Sequence, residues 1–260
     1  MKALKELGQN FLNDASIARE IAVLGSIQAG DPVWEIGPGL GILTDEIIKF
    51  QPVLTLFELD RRLGELLANK YQDCASVRMG DILRVDWEKE ISESKQKIKV
   101  VSNIPYQITS PLLYHFEKYS IHFARIVLMV QKEVAERLAA KAGTKAYGVL
   151  TLRLNIKFDI SNNLQVNKEY FDPIPKVDSA VVVLTPRLNP PHIVDIDTFY
   201  RIVIAAFSHR RKTLRNNLYP ILGKEPTSKL EKVSGIDFSR RGETLDEAEF
   251  IRLSDCLASL

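Results

Sequence analysis

Pro32-Val33-Trp34-Glu35-Ile36-Gly37-Pro38-Gly39-Leu40-Gly41 runs from an apolar segment into three alternating glycines, and Ile42–Phe50 follows with helical periodicity. A buried strand that enters a glycine turn and then a helix is the opening unit of a doubly wound α/β sheet. Glycine at 37, 39 and 41 lets the backbone approach a ligand, because each missing Cβ removes a steric barrier. A dinucleotide fingerprint would put its third glycine one position later, where this chain has Ile42. The turn is therefore suited to a ligand without a pyrophosphate.

Working outward, short apolar runs at Val53–Glu58, Ser76–Met79, Ile98–Ser102 and Arg125–Val130 read as further buried strands. Periodic segments such as Arg61–Tyr71 and Ser110–Tyr119 separate them, which is the pattern of a parallel sheet with crossover helices. Ile160–Val166 and Val177–Leu184 read as two more strands, joined through Tyr170-Phe171-Asp172-Pro173-Ile174-Pro175 and completing the sheet as an antiparallel edge. Pro186, Pro190 and Pro191 then punctuate the chain. Beyond them Ile196–Phe207, Thr213–Leu222, Ser228–Val233 and Asp246–Leu257 are helical by pattern, with no strand signal. The expected organisation is an α/β, Rossmann-like domain over residues 1–186 and a small all-helical domain over 187–260.

Composition narrows the function classes. The 260 residues are 45% hydrophobic, enough for a sizeable core. No apolar run reaches the roughly 18–20 residues of a membrane span, and Met1–Glu6 lacks the apolar centre of a secretory signal, so a cytoplasmic protein without membrane contact is expected. Two distant cysteines, Cys74 and Cys256, and four scattered histidines give no disulfide framework and no metal-ligand spacing. The net charge of +2 is too mild to imply nucleic acid by itself. Its distribution says more. Residues 131–157 hold Lys132, Arg137, Lys141, Lys145, Arg153 and Lys157 against Glu133 and Glu136, a stretch that equally suits a solvated helix face. His209–Asn217 holds Arg210, Arg211, Lys212 and Arg215, contains no acid and ends in two amides, a composition better suited to phosphate.

The chemistry-bearing residues fall at successive strand ends. Glu58 closes the second strand about twenty residues after the glycine turn, where a carboxylate accepts both ribose hydroxyls. Gly80-Asp81 follows the third strand, where an acid would meet an adenine amino group. With no pyrophosphate to hold, this set favours S-adenosylmethionine as the cofactor. After the fourth strand comes Asn103-Ile104-Pro105-Tyr106. The Asn103 side-chain oxygen and a carbonyl of the Pro105 turn can accept hydrogen bonds from a planar amine while the Tyr106 ring stacks on the base that carries it. In this order the motifs point to methyl transfer onto an amino group.

These motifs resemble the ribosomal RNA adenine N6-dimethyltransferases over nearly the whole chain. Gly8-Gln9-Asn10-Phe11-Leu12 is similar to the family's opening motif, and the resemblance implies that Asn10 and Leu12 help cover the methionine end of the cofactor. Glu35–Gly41, Phe57-Glu58-Leu59-Asp60, Gly80-Asp81 and Ser102–Tyr106 resemble its successive cofactor and catalytic motifs, which assigns Gly37, Gly39, Glu58, Asp81 and Asn103 to the cofactor. Met129–Arg137 and Phe171–Val181 match further stretches, and the family position of Phe171 implies a second ring against the target base. Ala206–Leu218 resembles the version that modifies the small ribosomal subunit. The resemblance implies dimethylation of two adjacent adenosines in the 3′-terminal hairpin loop of small-subunit (16S) rRNA within a pre-ribosomal particle, and nothing in the sequence demands more than a monomer. A large-subunit methyltransferase of the antibiotic-resistance type and a non-catalytic assembly factor are the competing expectations. Two departures from the family stand out. Gln107 occupies a position where many members carry Asn, and the basic N-terminal tail is short.

Overall fold

Near-continuous Val, Ile and Leu runs bury both faces of the central strands, as parallel strands require. The computed structural model describes residues 3–4 and 7–260. Most of the Met1–Glu6 stretch, read above for its lack of a secretory signal, lies outside the described residues. In chain order the elements are β1 (Phe11–Leu12), α1 (Ala15–Leu24), β2 (Pro32–Ile36), α2 (Ile42–Ile47), β3 (Val53–Glu58), α3 (Arg61–Lys70), β4 (Ala75–Met79), α4 (Trp87–Ser92), β5 (Ile98–Asn103) and α5 (Thr109–Lys118). They continue as β6 (Phe123–Gln131), α6 (Lys132–Leu138), α7 (Val149–Asn155), β7 (Phe158–Val166), β8 (Phe171–Asp172) and β9 (Ser179–Pro186). Four longer helices follow, α8 (Ile196–Phe207), α9 (Leu214–Leu222), α10 (Lys224–Ser234) and α11 (Glu247–Ala258).

Seven strands form one sheet in the order β4-β3-β2-β5-β6-β9-β7. The pairs from β4 through β6 are parallel, and β9 is antiparallel to both β6 and β7. The two late strands were expected as an antiparallel edge. In the structure β9 is the inner of the two, and β7, which precedes it in sequence, forms the rim. Continuous burial along Ser179–Leu184, against a β7 that is buried only at its two ends, gives the reason.

The strand order reverses between β2 and β5. Their ladder is short, pairing Val33 with Lys99 and Trp34 with Val100. Farther along, the Ile36 N–H donates to the Ser102 hydroxyl at 2.8 Å, so a side chain takes over from the ladder where the crevice opens. On one face of the sheet, Ile17, Ile21, Leu43, Ile47, Leu63 and Leu67 from α1, α2 and α3 join the core. Trp34 packs edge-on against Phe57 at 5.0 Å and Trp87 at 5.6 Å. A second, two-stranded sheet pairs Phe11 with Asp172 and Leu12 with Phe171, and the Asp172–Pro173 bond that follows is cis. Pattern reading could not anticipate this sheet, because strands of two residues carry no periodicity.

Two compact units result. The first holds the described residues through Ala135 together with Phe158–Pro186, and the second holds Glu136–Lys157 and Arg187–Leu260. The first unit ends at Pro186, the expected end of the first domain, and residues 136–157 fall in the second unit. Tyr147, Leu152 and Ile156 share a buried cluster with Phe199, Ile202, Leu218, Phe238 and Phe250, so residues 136–157 pack with the C-terminal helices. The chain leaves the first unit after β6 and returns at β7. Among the described residues no helix is long and apolar enough to cross a membrane.

Candidate active site

The crevice at the β2/β5 reversal is walled by three strand ends and by the N-terminal strap that runs into β1. It encloses about 790 Å³, counted out to the solvent at its mouth, and it lies at the switch point where open α/β sheets bind their ligands. Its lining includes Gly8 to Leu12, Glu35, Gly37 to Leu40, Glu58, Leu59 and Asn103 to Tyr106. Nine of the ten catalytic and cofactor residues expected from sequence (Asn10, Leu12, Gly37, Gly39, Glu58, Asn103, Pro105, Tyr106 and Phe171) therefore meet in one cavity.

The glycine turn is held by geometry that other residues resist. Gly37, Gly39 and Gly41 have φ of +68°, +60° and +86°. A Cβ on Gly37 would lie 3.1 Å from Pro105, one on Gly39 3.0 Å from Phe11, and one on Gly41 2.3 Å from the Tyr71 hydroxyl. The Gly39 N–H donates to Glu58 Oε2 at 3.3 Å and the Asp60 N–H to Glu58 Oε1 at 2.8 Å, which orients the carboxylate at the end of β3. Burial raises the Glu58 pKa above the ordinary carboxylate value. A close-approach cradle beside an oriented carboxylate fits an adenosyl ligand.

Asn103 is the last residue of β5, and Pro105 in an extended conformation turns the chain before Tyr106. The Tyr106 hydroxyl is 2.7 Å from Ser179 Oγ, the first residue of β9, which fixes the ring by its far end. Burial raises the phenol's pKa, so it stays protonated. Phe171 lines the cavity from β8 with 2% of its surface exposed, packed into the core cluster alongside Leu12.

Asp81 is the exception among the expected residues. It is absent from the cavity lining, and its carboxylate accepts from the Leu83 N–H at 3.0 Å and lies 3.5 Å from Arg84. Two residues given no role from sequence do belong to the site. Glu35 lines the cavity at 1% exposure, accepts a hydrogen bond from the Thr44 hydroxyl at 2.7 Å, and is pushed up to about 8 by burial. An acid inside an otherwise apolar strand was the available signal. Gln9, whose amide donates to Asp60 at 3.0 Å, carried none. Among the described residues no three His, Cys, Asp or Glu side chains group as metal ligands.

The basic run of the second unit lies between α8 and α9 and divides in two. Arg210 donates to Glu243 at 3.0 Å and to the Tyr147 carbonyl at 3.1 Å, and Arg215 pairs with Glu231. Arg211 and Lys212 are without ion-pair partners among the described residues, and both are exposed. Asn217, expected to help meet phosphate, is 2% exposed. Its amide donates to the Ala206 and His209 carbonyls at 2.8 and 3.2 Å, so it holds the loop from beneath.

A doubly wound sheet with a reversed inner strand, and a crevice at its switch point lined by a glycine turn without the dinucleotide spacing, suit the methyltransferase class of α/β folds. Comparison with known proteins is specific. The chain belongs to the ribosomal RNA adenine dimethylase family, which it matches over residues 1–259. It is 42% identical to the ribosomal RNA small subunit methyltransferase A of Geobacillus kaustophilus, over 98% of this chain and 91% of that protein. It is 40% identical to the protein of the same name from Lactobacillus helveticus, again over 98% and 91%. Among solved structures, a dimethyladenosine transferase from Plasmodium falciparum superposes with a TM-score of 0.74 at 25% identity, covering 94% of this chain and 95% of that one. The 23S rRNA methyltransferase ErmE gives 0.73 at 24% identity, covering 96% and 100%, and so shares the fold.

Proposed function

We propose that this protein is an S-adenosylmethionine-dependent enzyme that dimethylates N6 of two adjacent adenosines in the 3′-terminal hairpin loop of small-subunit rRNA. The observation that carries the chemistry is the turn Asn103-Ile104-Pro105-Tyr106 opening into the same cavity as Gly37, Gly39 and Glu58. Family membership and the small-subunit relatives support the substrate. An assembling small subunit in the cytoplasm is the natural partner, and a monomer suffices because one chain supplies the whole cavity lining.

The bound cofactor supplies a methyl group made electrophilic by a sulfonium. The protein's part is positioning and electrostatics. Glu58, preoriented by two backbone N–H groups, accepts the ribose hydroxyls, and Asn10 and Leu12 close the opposite end of the cavity. The adenine N6 lone pair is delocalised into the ring, which makes it a poor nucleophile. Accepting its two protons at the Asn103 side-chain oxygen and a carbonyl of the Ile104–Pro105 turn favours a pyramidal nitrogen with its lone pair directed outward. Tyr106 stacks on the extruded base, with Phe171 at its other face or edge. No His, Lys or Cys is among the described lining residues, and none is required, since the alkylated nitrogen is a strong acid and would give its proton to water as the methyl–sulfur bond breaks and a neutral thioether is left. Arg211 and Lys212 contact phosphate, with Arg210 and Arg215 building the loop that presents them.

The experiment is methyl incorporation from labelled cofactor into unmodified small and large subunits, with nucleoside analysis. Dimethyladenosine in the small subunit alone is expected. Label in the large subunit instead would move the protein to the resistance-type reading, and no label with cofactor still bound would make it an assembly factor.

A further inference from the structure

The strap Leu7–Leu12 supplies six lining residues of the cavity, so whatever holds it down governs exchange with solvent. At its downstream end it is anchored by the two β1–β8 residue pairs and by the Asn13 N–H donating to the Tyr170 carbonyl at 2.9 Å. Gly8 lies against the Gln107 side chain, with an ideal Cβ 3.1 Å from its amide carbon. On the β3 side the connection runs through Gln9. Its Nε2 donates to Asp60 Oδ2 at 3.0 Å, while its Oε1 accepts the Leu4 N–H at 2.7 Å.

Asp60 is an unusually well-held acceptor. It is 5% exposed, caps α3 through the Arg62 N–H, and takes two further hydrogen bonds from the Arg62 guanidinium at 3.0 and 2.6 Å. Those bonds keep its carboxyl well below the ordinary range and ionised. The same residue's N–H donates to Glu58. One rigid corner therefore orients the ribose-directed carboxylate with its backbone and ties down the strap with its side chain.

We infer that Gln9 is a positioning residue that latches the strap over the bound cofactor by its hydrogen bond to Asp60, and so sets the rate at which cofactor leaves. This rests on the cofactor reading above. A hydrogen bond to a charged, desolvated acceptor is among the stronger kinds, and its loss is expected to speed release about tenfold.

The test uses the full chain and reads the dissociation rate of S-adenosylmethionine in a stopped-flow displacement, with hydrogen exchange of residues 7–12 followed in parallel on the free protein. Gln9→Ala and Gln9→Glu are expected to release cofactor faster and to lose protection in the strap, the second because two carboxylates then face each other. The double variant Gln9→Glu/Asp60→Asn restores the bond with its polarity reversed and keeps a competent helix cap, so slow release and protection should return. Release from Gln9→Ala at the parent rate with undiminished protection overturns the latch, as does a double variant that stays as fast as Gln9→Glu. Failure of the parent to bind S-adenosylmethionine would refute the cofactor reading instead, and the exchange measurement would still decide whether Gln9 holds the strap.

Discussion

Replacing Glu35 by Gln separates the charge of the buried carboxylate from its shape, because the amide keeps an oxygen to accept from Thr44. The wild-type carboxyl titrates near 8 rather than its ordinary 4.5, with burial as the main cause and the nearby acids Asp45 and Glu58 adding to it. The folded protein therefore holds a proton that the unfolded chain releases at lower pH. Glu35's contribution to stability is complete below about pH 4.5 and is lost as pH rises toward about 8. Each pH unit inside that window is worth up to about 1.4 kcal/mol, so about 3 kcal/mol is lost between pH 5 and pH 7.5. Glu35→Gln has no proton to lose there. The variant should match the parent near pH 5 and exceed it at pH 7.5, by a melting-temperature gap of about 5–10 °C for a chain of this size. Thermal melts of both proteins at matched ionic strength from pH 5 to 8 measure it. Parallel curves would refute the reasoning, since they would mean that Glu35 is ionised in the native state at neutral pH.

Asn103→Ala should abolish methyl transfer while cofactor affinity, read by titration calorimetry, changes less than threefold; near-normal turnover would remove Asn103 from the chemistry. Tyr106→Phe loses the bond to Ser179, about 1 kcal/mol, yet keeps the ring, so it should retain most activity, whereas Tyr106→Ala forfeits stacking of about 1–3 kcal/mol and should lose rate and RNA affinity together. Arg211→Ala and Lys212→Ala should each lower the slope of log affinity against log salt by about one, while Arg215→Ala, which breaks a pair with Glu231, should lower the stability of the helical unit and leave the slope alone. Asn217→Ala leaves the Ala206 and His209 carbonyls unpaired and should destabilise the helical unit by about 1–3 kcal/mol without affecting cofactor binding.

The sheet was legible because its strands announce themselves. Pro32–Ile36 and Val53–Glu58 are largely apolar runs bounded by turn residues, and both have the observed limits. The helices Ile196–Phe207 and Glu247–Ala258 carry a full amphipathic period. What escaped were long-range pairings that depend on no local pattern. The Phe11–Leu12 and Phe171–Asp172 sheet joins segments about 160 residues apart. Residues 136–157 belong by sequence to the first domain and by packing to the second, because the apolar side chains of Tyr147, Leu152 and Ile156 find partners that the local sequence does not name. At the site, residues at strand ends were found and their supports were not. Gln9 and Ser179 meet Asp60 and Tyr106 through hydrogen bonds that span 51 and 73 residues of chain. The basic run was legible as a run, but which arginines face solvent depends on Glu231 and Glu243, elements away.

On the proposed reading, Tyr106 would stack on a base pulled from a nucleic acid loop, and the topology suits it to that task. A stacking ring is useful only if its face is open and its axis is fixed. Tyr106 follows a proline turn, which sets the chain direction, and its hydroxyl meets Ser179 at the start of β9. Had β9 been the rim strand, that anchor would sit at a fraying edge. Because β9 is threaded between β6 and β7, Ser179 is fully buried and pairs with Gln131 on one side and Val166 on the other. The reversed inner strand thus does more than close the sheet: it carries a fixed point to the far side of the crevice, so that the turn carrying Asn103 is braced at its strand end by β5 and at its ring end by β9. Preorganisation of this kind spends no binding energy on ordering the ring when the base arrives, and it makes the Tyr106–Ser179 contact the place where sheet topology and chemistry meet.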